Sequence, residues 1–484
     1  MLIAAALLFP ATYIAIALIR MSYPFQLEWL EGLALDHVYR VAHGQPLYVQ
    51  PTLSFVPFNY APLYFYLAAL PFHLFGEGFG ALRLVSFLAS LGIMGLLFGL
   101  VRGATGDSRA GLLSACLFAA TYRLGGAWFD VGRADSLQLL LLLGAVATLQ
   151  FDRAPMRSSI AGGVLLGLSF LAKQSALVAA GPILLYYLIA DRRRFFALAG
   201  TFAAVVVGTT LGFDALTGGW YSYFVFGAAG RLRPEPGMIP WFWIRDVAGP
   251  LGVALWIGLS HFALGPTGSA RSRLGPEAAA VAGLLLCSWW LRMYPGGYDN
   301  VLMTGYAAIA LGFGLGWHAI VKRCEQAPPP LRHALLFLLQ AAVLVQFVAL
   351  VYDPRAQIPT SADRVAGEGL VQMLERAPAE VLIPCHGYLA RRAGKGPSFH
   401  EGAFMDVVKA GRGETGARLL DELRGALRAR RYQVLVLDTR DWILDEARPY
   451  YVPMRDGFLG RGVFWPVTGM KTRPESLWAP KDST

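Results

Sequence analysis

Long apolar runs separated by short charged segments dominate the region 1–352 of the chain. A run of about 20 apolar residues is long enough to cross a lipid bilayer as a helix. Eleven runs approach that length, and we predict a membrane-spanning helix for each: 1–19, 83–101, 110–128, 136–151, 159–173, 175–190, 195–213, 248–264, 278–293, 301–321 and 333–352. The pattern therefore predicts an all-α polytopic membrane protein, with the first run retained as an uncleaved span.

Composition agrees with this interpretation. Of the 484 residues, 55% are hydrophobic and only 15% are charged, whereas soluble proteins carry roughly a quarter charged residues. The net charge of +10 raises the alternative of nucleic-acid binding. The basic residues, however, fall in short clusters between apolar runs, which is the pattern of topology signals. We therefore predict no nucleic-acid partner.

The basic clusters also predict the orientation in the membrane. With eleven spans, five such clusters fall on one side, which the positive-inside rule makes cytoplasmic. Merging 159–173 with 175–190 into one helix would place the arginine cluster 192–194 outside, so two helices are favoured. The segment 62–75 has two prolines and is short, which favours a juxtamembrane or re-entrant helix. The predicted external connections are 22–82, 128–136, 214–247 and 294–300.

The last part of the chain has a different character. Residues 353–484 are rich in charges of both signs, which is typical of a soluble domain. Short apolar stretches at 380–384 and 432–437 predict buried strands, and 415–431 predicts an amphipathic helix between them. We predict a transmembrane domain at 1–352 and a small extracytoplasmic α/β domain at 353–484, with the N-terminus in the cytoplasm.

Acidic residues and an arginine gather on the predicted outer face. Arg133-Ala134-Asp135 lies between two apolar runs, where a charged side chain is tolerated mainly if it pairs, faces a polar cavity or does chemistry. The first external loop adds Glu28 and Glu31, which share one face if this stretch is helical. Because both loops lie outside, their carboxylates are expected to converge on one cavity at the outer leaflet.

Such a constellation suits transfer of a phosphate-linked group to a hydroxyl. A carboxylate held against apolar walls has a raised pKa and can act as a general base near neutrality. A neighbouring arginine such as Arg133 can hold the ionised form or bind a phosphate through two hydrogen bonds. The alternative is that Glu31 and Asp135 merely begin or end helices and face water, but the pair together with Arg133 favours chemistry.

Three further cations lie at predicted external turns, and each has two interpretations. Lys173 either binds a lipid phosphate or extends its ammonium to the interface. Arg231 belongs to an aromatic-arginine segment that either anchors the chain at the interface or contacts phosphate. Arg292 precedes a glycine turn whose backbone amides can bind an anion. His37 and His43 match no strong metal-binding motif, and the chemistry permits a divalent metal without requiring one.

At these residues the chain resembles polytopic glycosyltransferases of the GT-C fold. That group contains the bacterial aminoarabinose transferases of lipid A, the protein O-mannosyltransferases and the Rgt-type galacturonosyltransferases. The resemblance rests on short motifs: Glu31-Gly32, with Glu28 as second choice, Ala61-Pro62-Leu-Tyr-Phe-Tyr66, Arg133-Ala134-Asp135 and Leu171-Ala172-Lys173-Gln174. Aminoarabinose transferases have a lysine before the proline step, where this chain has Phe58-Asn59-Tyr60-Ala61.

The resemblance implies a bacterial inner-membrane glycosyltransferase of the cell envelope. It would transfer a hexosyl or pentosyl group from a polyprenyl-phosphate donor to a glycan, lipid or protein acceptor, with inversion. Glu31 would be the general base, with Asp135 positioning the acceptor or the base. Phosphate contacts would come from a set of external groups: Arg133, Lys173, Arg292, Tyr60 and Arg231.

A transporter or lipid flippase without transferase activity is the alternative from another class. Such proteins often contain internal repeats and broken helices with ionisable residues near the membrane midplane. In this chain the unusual charges instead cluster at one predicted face. That placement favours surface chemistry over transport.

Overall fold

The computed structural model describes residues 2–151, 154–228, 234–264, 275–294, 296–377, 380–410, 414–438, 442–456 and 458–481. Within these ranges, each predicted span corresponds to a helix. The eleven helices are Leu2–Met21, Gly80–Thr105, Ser108–Ala120, Asp135–Gln150, Pro155–Ala172, Ala176–Ala190, Arg192–Thr217, Gly249–Leu264, Pro276–Arg292, Leu302–Glu325 and Pro329–Ala349. The favoured division of 159–190 into two helices agrees with the break between Ala172 and Ala176.

These helices differ in length. Seven helical segments in the described residues are long and apolar enough to cross a membrane, by length and composition. The other four predicted spans are shorter helices of 13 to 17 residues: Ser108–Ala120, Asp135–Gln150, Ala176–Ala190 and Pro276–Arg292. A 13-residue helix is only about 20 Å long, which is less than the hydrocarbon thickness of about 30 Å. Which side of the membrane each connection occupies stays a prediction.

The two shortest neighbours leave room for a buried loop. Ser108–Ala120 ends early and Asp135–Gln150 begins late, and the connection 121–134 is almost entirely buried between them. Irregular backbone at membrane depth is tolerated only where protein covers its polar groups. Here Gly126 and Ala127 both adopt positive φ, at 73° and 57°, so the chain turns sharply within this loop. The turn brings the functional residues of the loop together.

The first long connection also forms helices. Glu31–Ala42 and Leu63–Phe75 are the two helices between the first and second spans. Leu63–Phe75 is a helix of 13 residues that contains Pro71, and that it does not cross the membrane stays a prediction. The predicted connection 214–247 is more helical than expected, because described segments within it fold as Trp220–Ser222, Tyr223–Ala228, Met238–Trp241 and Phe242–Ala248.

The last part of the chain combines helices with one small sheet. Strands β1 (Val381–Leu382) and β2 (Val434–Asp438) are parallel, as expected for strands joined through helices. Strands β3 (Tyr451–Asp456) and β4 (Pro474–Pro480) add an antiparallel half in the order β1-β2-β4-β3. The helices are Ser361–Arg376, Gly387–Arg392, Glu401–Ala410, Glu414–Arg428 and Ile443–Ala447. The exact division at 352/353 stays a prediction.

This C-terminal part packs on the first long connection. The Phe25 and Phe464 rings meet edge to face with centroids 5.1 Å apart. Arg392 donates a hydrogen bond to the Pro24 carbonyl at 2.8 Å, and the Thr468 amide donates to the Leu27 carbonyl at 3.1 Å. The contacts place the C-terminal part directly over the acidic stretch that begins at Glu28.

Candidate active site

Glu31 is the centre of a completely satisfied ion pair. Its carboxylate receives Arg83 Nε at 2.9 Å on one oxygen and Arg83 Nη2 at 2.8 Å on the other. The backbone amides of Leu27 and Gly132 donate to the same two oxygens at 2.7 and 2.8 Å. Both side chains are buried, with Glu31 at 0% exposure. Glu31 therefore joins the first connection to the buried loop 121–134.

The electrostatics of Glu31 favour a permanent negative charge. Burial raises the pKa of Glu31, but the Arg83 guanidinium and the two amide donors outweigh burial and hold that pKa below its usual range. Arg83 also donates to the carbonyls of Arg20, Tyr23 and Phe25 at 2.8, 2.6 and 2.6 Å. Such an arrangement fixes backbone, and it leaves neither oxygen of Glu31 available to accept a proton from another molecule.

A second buried ion pair, between Arg20 and Asp130, holds the loop 121–134. Arg20 at the end of the first helix lies 3.1 Å from an Asp130 oxygen, and Tyr122 donates to the other Asp130 oxygen at 3.0 Å. Arg20 also contacts the Tyr122 hydroxyl and the Ala127 carbonyl. These contacts hold the first part of the loop 121–134, from Tyr122 to Asp130, against the end of the first helix.

Glu28 lies in a less complete pair. Arg133 Nη1 donates to one Glu28 oxygen at 2.8 Å, and Arg133 Nη2 donates to the Tyr60 hydroxyl at 3.0 Å. The other Glu28 oxygen, Oε1, is buried without a hydrogen-bond partner, and so is Arg133 Nε. Burial raises the pKa of Glu28 to about 7, although Arg133 opposes the shift. A carboxylate with this pKa and an open oxygen suits proton acceptance near neutrality.

Asp135 forms the other incomplete pair. Lys173 Nζ lies 2.6 Å from Asp135 Oδ1, and the Asn300 amide donates to the same oxygen at 2.9 Å. Asp135 Oδ2 is buried without a hydrogen-bond partner. Burial lowers the pKa of Lys173, but the Asp135 carboxylate more than offsets this and raises it, so the lysine stays cationic.

Tyr60 connects the two incomplete pairs. The Arg133 guanidinium and the Lys173 ammonium lie 5.4 and 5.3 Å from the centre of its ring. Cations at this distance are attracted to the electron-rich face of an aromatic ring. Glu28, Arg133, Tyr60, Asp135 and Lys173 therefore form one cluster, which we call the reaction cluster.

Arg292 lies at the end of Pro276–Arg292 and is held by acids. Its guanidinium contacts Asp246 at 2.9 Å and Asp299 at 3.3 Å, and it donates to the Gly297 carbonyl at 2.7 Å. Asp299 neighbours Asn300, which contacts Asp135, so Arg292 is linked to the reaction cluster through one short segment.

The C-terminal part closes over Glu28. A Cβ placed on Gly469 would lie 2.8 Å from the Glu28 Cγ atom and 3.3 Å from the Trp128 ring, so only glycine fits here without displacing its neighbours. Gly469 also has φ of 71°, which glycine adopts readily. The close approach shields the Glu28 carboxylate and helps to raise its pKa.

The structure thus gathers five of the predicted site residues in the reaction cluster and places two beside it. Glu31 adjoins the cluster through the amide of Gly132, and Arg292 adjoins it through Asn300. Arg231 lies outside the described residues. Sequence reasoning missed the partner of Glu31, Arg83, although a lone arginine near the start of an apolar run was a signal that such a residue must pair.

Metal binding has no support from clustering of ligands. Among the described residues, no group of three or more His, Cys, Asp or Glu side chains is arranged to hold a metal ion. His37 instead contacts backbone, with Nδ1 2.8 Å from the Leu33 carbonyl and Nε2 accepting from the Phe58 amide at 2.8 Å. The role of His37 is therefore to hold the first connection in shape.

Part of the chain is similar to one known protein family. Residues 59–213 match the model of the family described as dolichyl-phosphate-mannose-protein mannosyltransferase. No curated protein matches the chain. The family match covers the helix Leu63–Phe75, the buried loop and Lys173, so it includes Tyr60 and much of the reaction cluster.

Solved structures extend the similarity to the whole chain. ArnT from Cupriavidus metallidurans, bound to undecaprenyl phosphate, has a TM-score of 0.65 at 12% identity, with 98% of this chain and 97% of that chain covered. An Archaeoglobus fulgidus oligosaccharyltransferase tethered with an acceptor peptide has a TM-score of 0.55 at 13% identity, covering 98% and 74%. The arabinofuranosyltransferase AftD from Mycobacteria has a TM-score of 0.50 at 16% identity, covering 97% and 41%.

These similarities establish the fold. The chain is a helical membrane protein with the GT-C fold and a small sheet near its C-terminus, and the predicted fold class is confirmed. The family match and the shared fold support the coarser prediction of a membrane glycosyltransferase of the GT-C type. Donor, acceptor, mechanism and cellular membrane belong to the proposal that follows.

Proposed function

We propose that the chain transfers a sugar from a polyprenyl-phosphate donor to an acceptor hydroxyl at the outer face of the bacterial inner membrane. The observation that carries this proposal is the reaction cluster, which combines two buried carboxylates, each with one oxygen that lacks a hydrogen-bond partner, and two cations beside them. The structural relatives add support, since ArnT binds undecaprenyl phosphate and an archaeal oligosaccharyltransferase binds dolichol phosphate.

Glu28 is the group best placed to accept the proton. Its Oε1 has no partner and its pKa is near 7, whereas both oxygens of Glu31 already receive two donors each. We therefore assign the general base to Glu28 and a structural role to Glu31. The family resemblance implies Glu31 as the base through the Glu31-Gly32 step, whereas the hydrogen bonds favour Glu28.

The proposed reaction is a single displacement at the anomeric carbon. The acceptor hydroxyl loses its proton to Glu28 Oε1 while its oxygen forms a bond to the sugar C1. The bond between C1 and the phosphate oxygen breaks, and the polyprenyl phosphate leaves with the electron pair. Attack opposite the leaving group inverts the anomeric configuration.

Cations stabilise the phosphate as charge develops on it. Lys173 and Arg133 flank the Tyr60 ring. Arg292 pairs with Asp299, whose neighbour Asn300 contacts Asp135. Preorganised positive charge in a dry site is worth more than in water, and removing one such donor typically costs about 10²–10³ in rate. Asp135 orients Lys173 through the 2.6 Å contact and presents its free Oδ2 to the sugar or acceptor.

The experiment uses the full chain in proteoliposomes with radiolabelled polyprenyl-phosphate sugars and a cell-envelope acceptor fraction. Glu28→Gln is expected to lower transfer by about 10²–10⁴, the usual contribution of a general base. Asp135→Asn is expected to lower it less. Glu77→Gln is the matched control, because Glu77 lies in the same connection and is 59% exposed.

The outcomes separate the proposal from its alternative. Transfer that survives in Glu28→Gln at the level of Glu77→Gln would contradict the assigned base. Movement of donor lipid between leaflets by the wild-type chain, without any transfer to an acceptor, would instead indicate a flippase.

A further inference from the structure

A cavity of about 580 Å³ lies in the C-terminal part, and none of the reaction-cluster residues lines it. It is at the carboxyl end of the parallel strands β1 and β2, where Asp438 ends β2 and Cys385 follows β1. The carboxyl ends of parallel strands commonly bind ligands in α/β folds. The volume falls within the roughly 300–1,000 Å³ of small-molecule sites.

The lining suits a ligand with many hydroxyl groups. Glu401, Asp438 and Glu475 supply carboxylate oxygens that accept hydrogen bonds, and Lys471 supplies an ammonium group. The Thr472 hydroxyl already donates to Asp438. Trp465 and Met470 complete the wall with apolar surface, against which the C–H face of a sugar ring can pack.

A buried amide, Gln26, lies beside the cavity. Gln26 is 7% exposed and lines a small recess that shares Trp465 and Thr472 with the cavity. One end of its amide lies 2.8 Å from His386 Nδ1, while Oε1 is buried without a hydrogen-bond partner. This oxygen packs against Gly32, where an added Cβ would lie 2.7 Å from it, so it marks no contact for a ligand in the cavity.

The cavity adjoins the proposed general base. Met470 lines the cavity, and its neighbour Gly469 packs on the Glu28 side chain. The preceding residue, Thr468, is tied to Leu27 by a backbone hydrogen bond of 3.1 Å. A short stretch of chain, 468–470, is therefore the wall between the cavity and the reaction cluster.

We propose that this cavity binds the carbohydrate part of the acceptor beside the reaction cluster. The inference rests on the proposed function, and it narrows the acceptor from glycan, lipid or protein to a molecule that carries sugar residues. Glu401, Glu475 and Trp465 are specificity-determining residues in this account.

The first test measures binding without any donor lipid. Full-length protein in nanodiscs is mixed with the methyl glycosides of glucose, galactose, mannose and N-acetylglucosamine, and binding is followed by saturation-transfer NMR. At least one glycoside is expected to give a signal that falls fivefold or more in Glu475→Gln and in Trp465→Ala. Glu422→Gln, an exposed Glu paired with Arg418 outside the cavity, is expected to retain it.

The result has clear contrary outcomes. Absence of signal for all four glycosides in the wild-type protein, or equal signals in all variants, would overturn the inference. A serine- and threonine-containing peptide that gives the cavity-dependent signal in place of the glycosides would overturn it as well. Because no donor is present, failure of the transferase proposal leaves this measurement intact.

The second test uses the transfer reaction. Glu475→Gln is expected to raise the acceptor KM at least tenfold while the donor KM stays within twofold of wild type. An acceptor KM that matches that of Glu422→Gln would overturn the inference. A merely structural role of Glu475 would instead change both KM values and the thermal stability together.

Discussion

Glu28 and Glu31 are three residues apart, equally buried, and each is paired with an arginine, yet their surroundings differ. The pair of Glu31 and Arg83 uses both carboxylate oxygens and adds two backbone donors. The pair of Glu28 and Arg133 uses one oxygen and leaves the other open. The first arrangement holds loops together, and the second keeps bonding capacity for another molecule.

Burial and pairing with an arginine do not by themselves identify a carboxylate as the general base. Buried ion pairs are costly to assemble, and removing one partner leaves an uncompensated charge. Both carboxylate oxygens of Glu31 accept hydrogen bonds, and the pKa of Glu31 is lowered. The pair at Glu28 has its pKa raised to about 7, because burial is only partly offset by Arg133. Completeness of hydrogen bonding separates the two roles.

Breaking the ion pair of Glu31 and Arg83 is expected to cause the largest loss of stability. Arg83→Met leaves Glu31 buried and unpaired, so we expect a loss of about 3–5 kcal/mol in stability. Thermal unfolding in detergent measures it as a lowered Tm and a low yield of folded protein. Arg102→Met is the control, since Arg102 lies at the other end of the same helix and is exposed. Equal Tm values for the two variants would contradict the structural role of the pair.

Removing the Lys173 ammonium from the reaction cluster should lower the rate of sugar transfer more than it lowers the stability of the protein. Lys173→Met is expected to slow transfer by about 10²–10³, the usual cost of one preorganised donor. Lys173→Arg keeps the charge and is expected to recover part of the rate. Initial rates with saturating acceptor measure both variants. A rate for Lys173→Met within threefold of wild type would remove Lys173 from the phosphate site.

The pH dependence of transfer sharpens the comparison further. Since the pKa of Glu28 is near 7, the fraction of ionised base falls about tenfold per pH unit below that value. Transfer should therefore rise with pH up to about 7 and then level off, while the ionised Glu31 contributes no inflection in this range. Rates between pH 5.5 and 8.5 at constant ionic strength test this. A flat profile would contradict proton acceptance by Glu28.

The smallest expected effect concerns the residue between the pairs. Tyr60→Phe removes one hydrogen bond to Arg133 but keeps the ring between Arg133 and Lys173. A hydrogen bond to a charged group contributes about 1.5–3 kcal/mol, which corresponds to a fall in rate of roughly ten- to a hundredfold. Tyr66→Phe, a partly exposed tyrosine on the neighbouring helix, serves as the control. A loss beyond a hundredfold would give the Tyr60 hydroxyl a larger role than a positioning contact.

Much of the fold was predictable from the sequence because apolar periodicity reports helices directly. All eleven predicted spans correspond to helices, and the parallel strands β1 and β2 were expected near 380–384 and 432–437. Strands β3 and β4 were not predicted, since Pro453 and Pro474 interrupt the strand pattern that apolar alternation would give.

The site was predictable as a set of residues but not as a set of roles. The charged step at Arg133-Ala134-Asp135 and the acids of the first connection pointed to the cluster that forms. Sequence spacing could not show that Arg83 reaches Glu31 across 52 positions, or that Gly469 approaches Glu28 from the far end of the chain. Such contacts depend on tertiary packing, which local patterns do not contain.

The division of roles between the two glutamates is tested most directly by single-turnover transfer with Glu28→Gln and Glu31→Gln, measured per folded molecule. We predict that Glu28→Gln lowers the rate per folded molecule by about 10²–10⁴. We predict a lowered Tm for Glu31→Gln, with the folded fraction keeping a rate within tenfold of wild type. The reverse pattern, in which Glu31→Gln is folded but inactive and Glu28→Gln transfers at the wild-type rate, would contradict this division of roles.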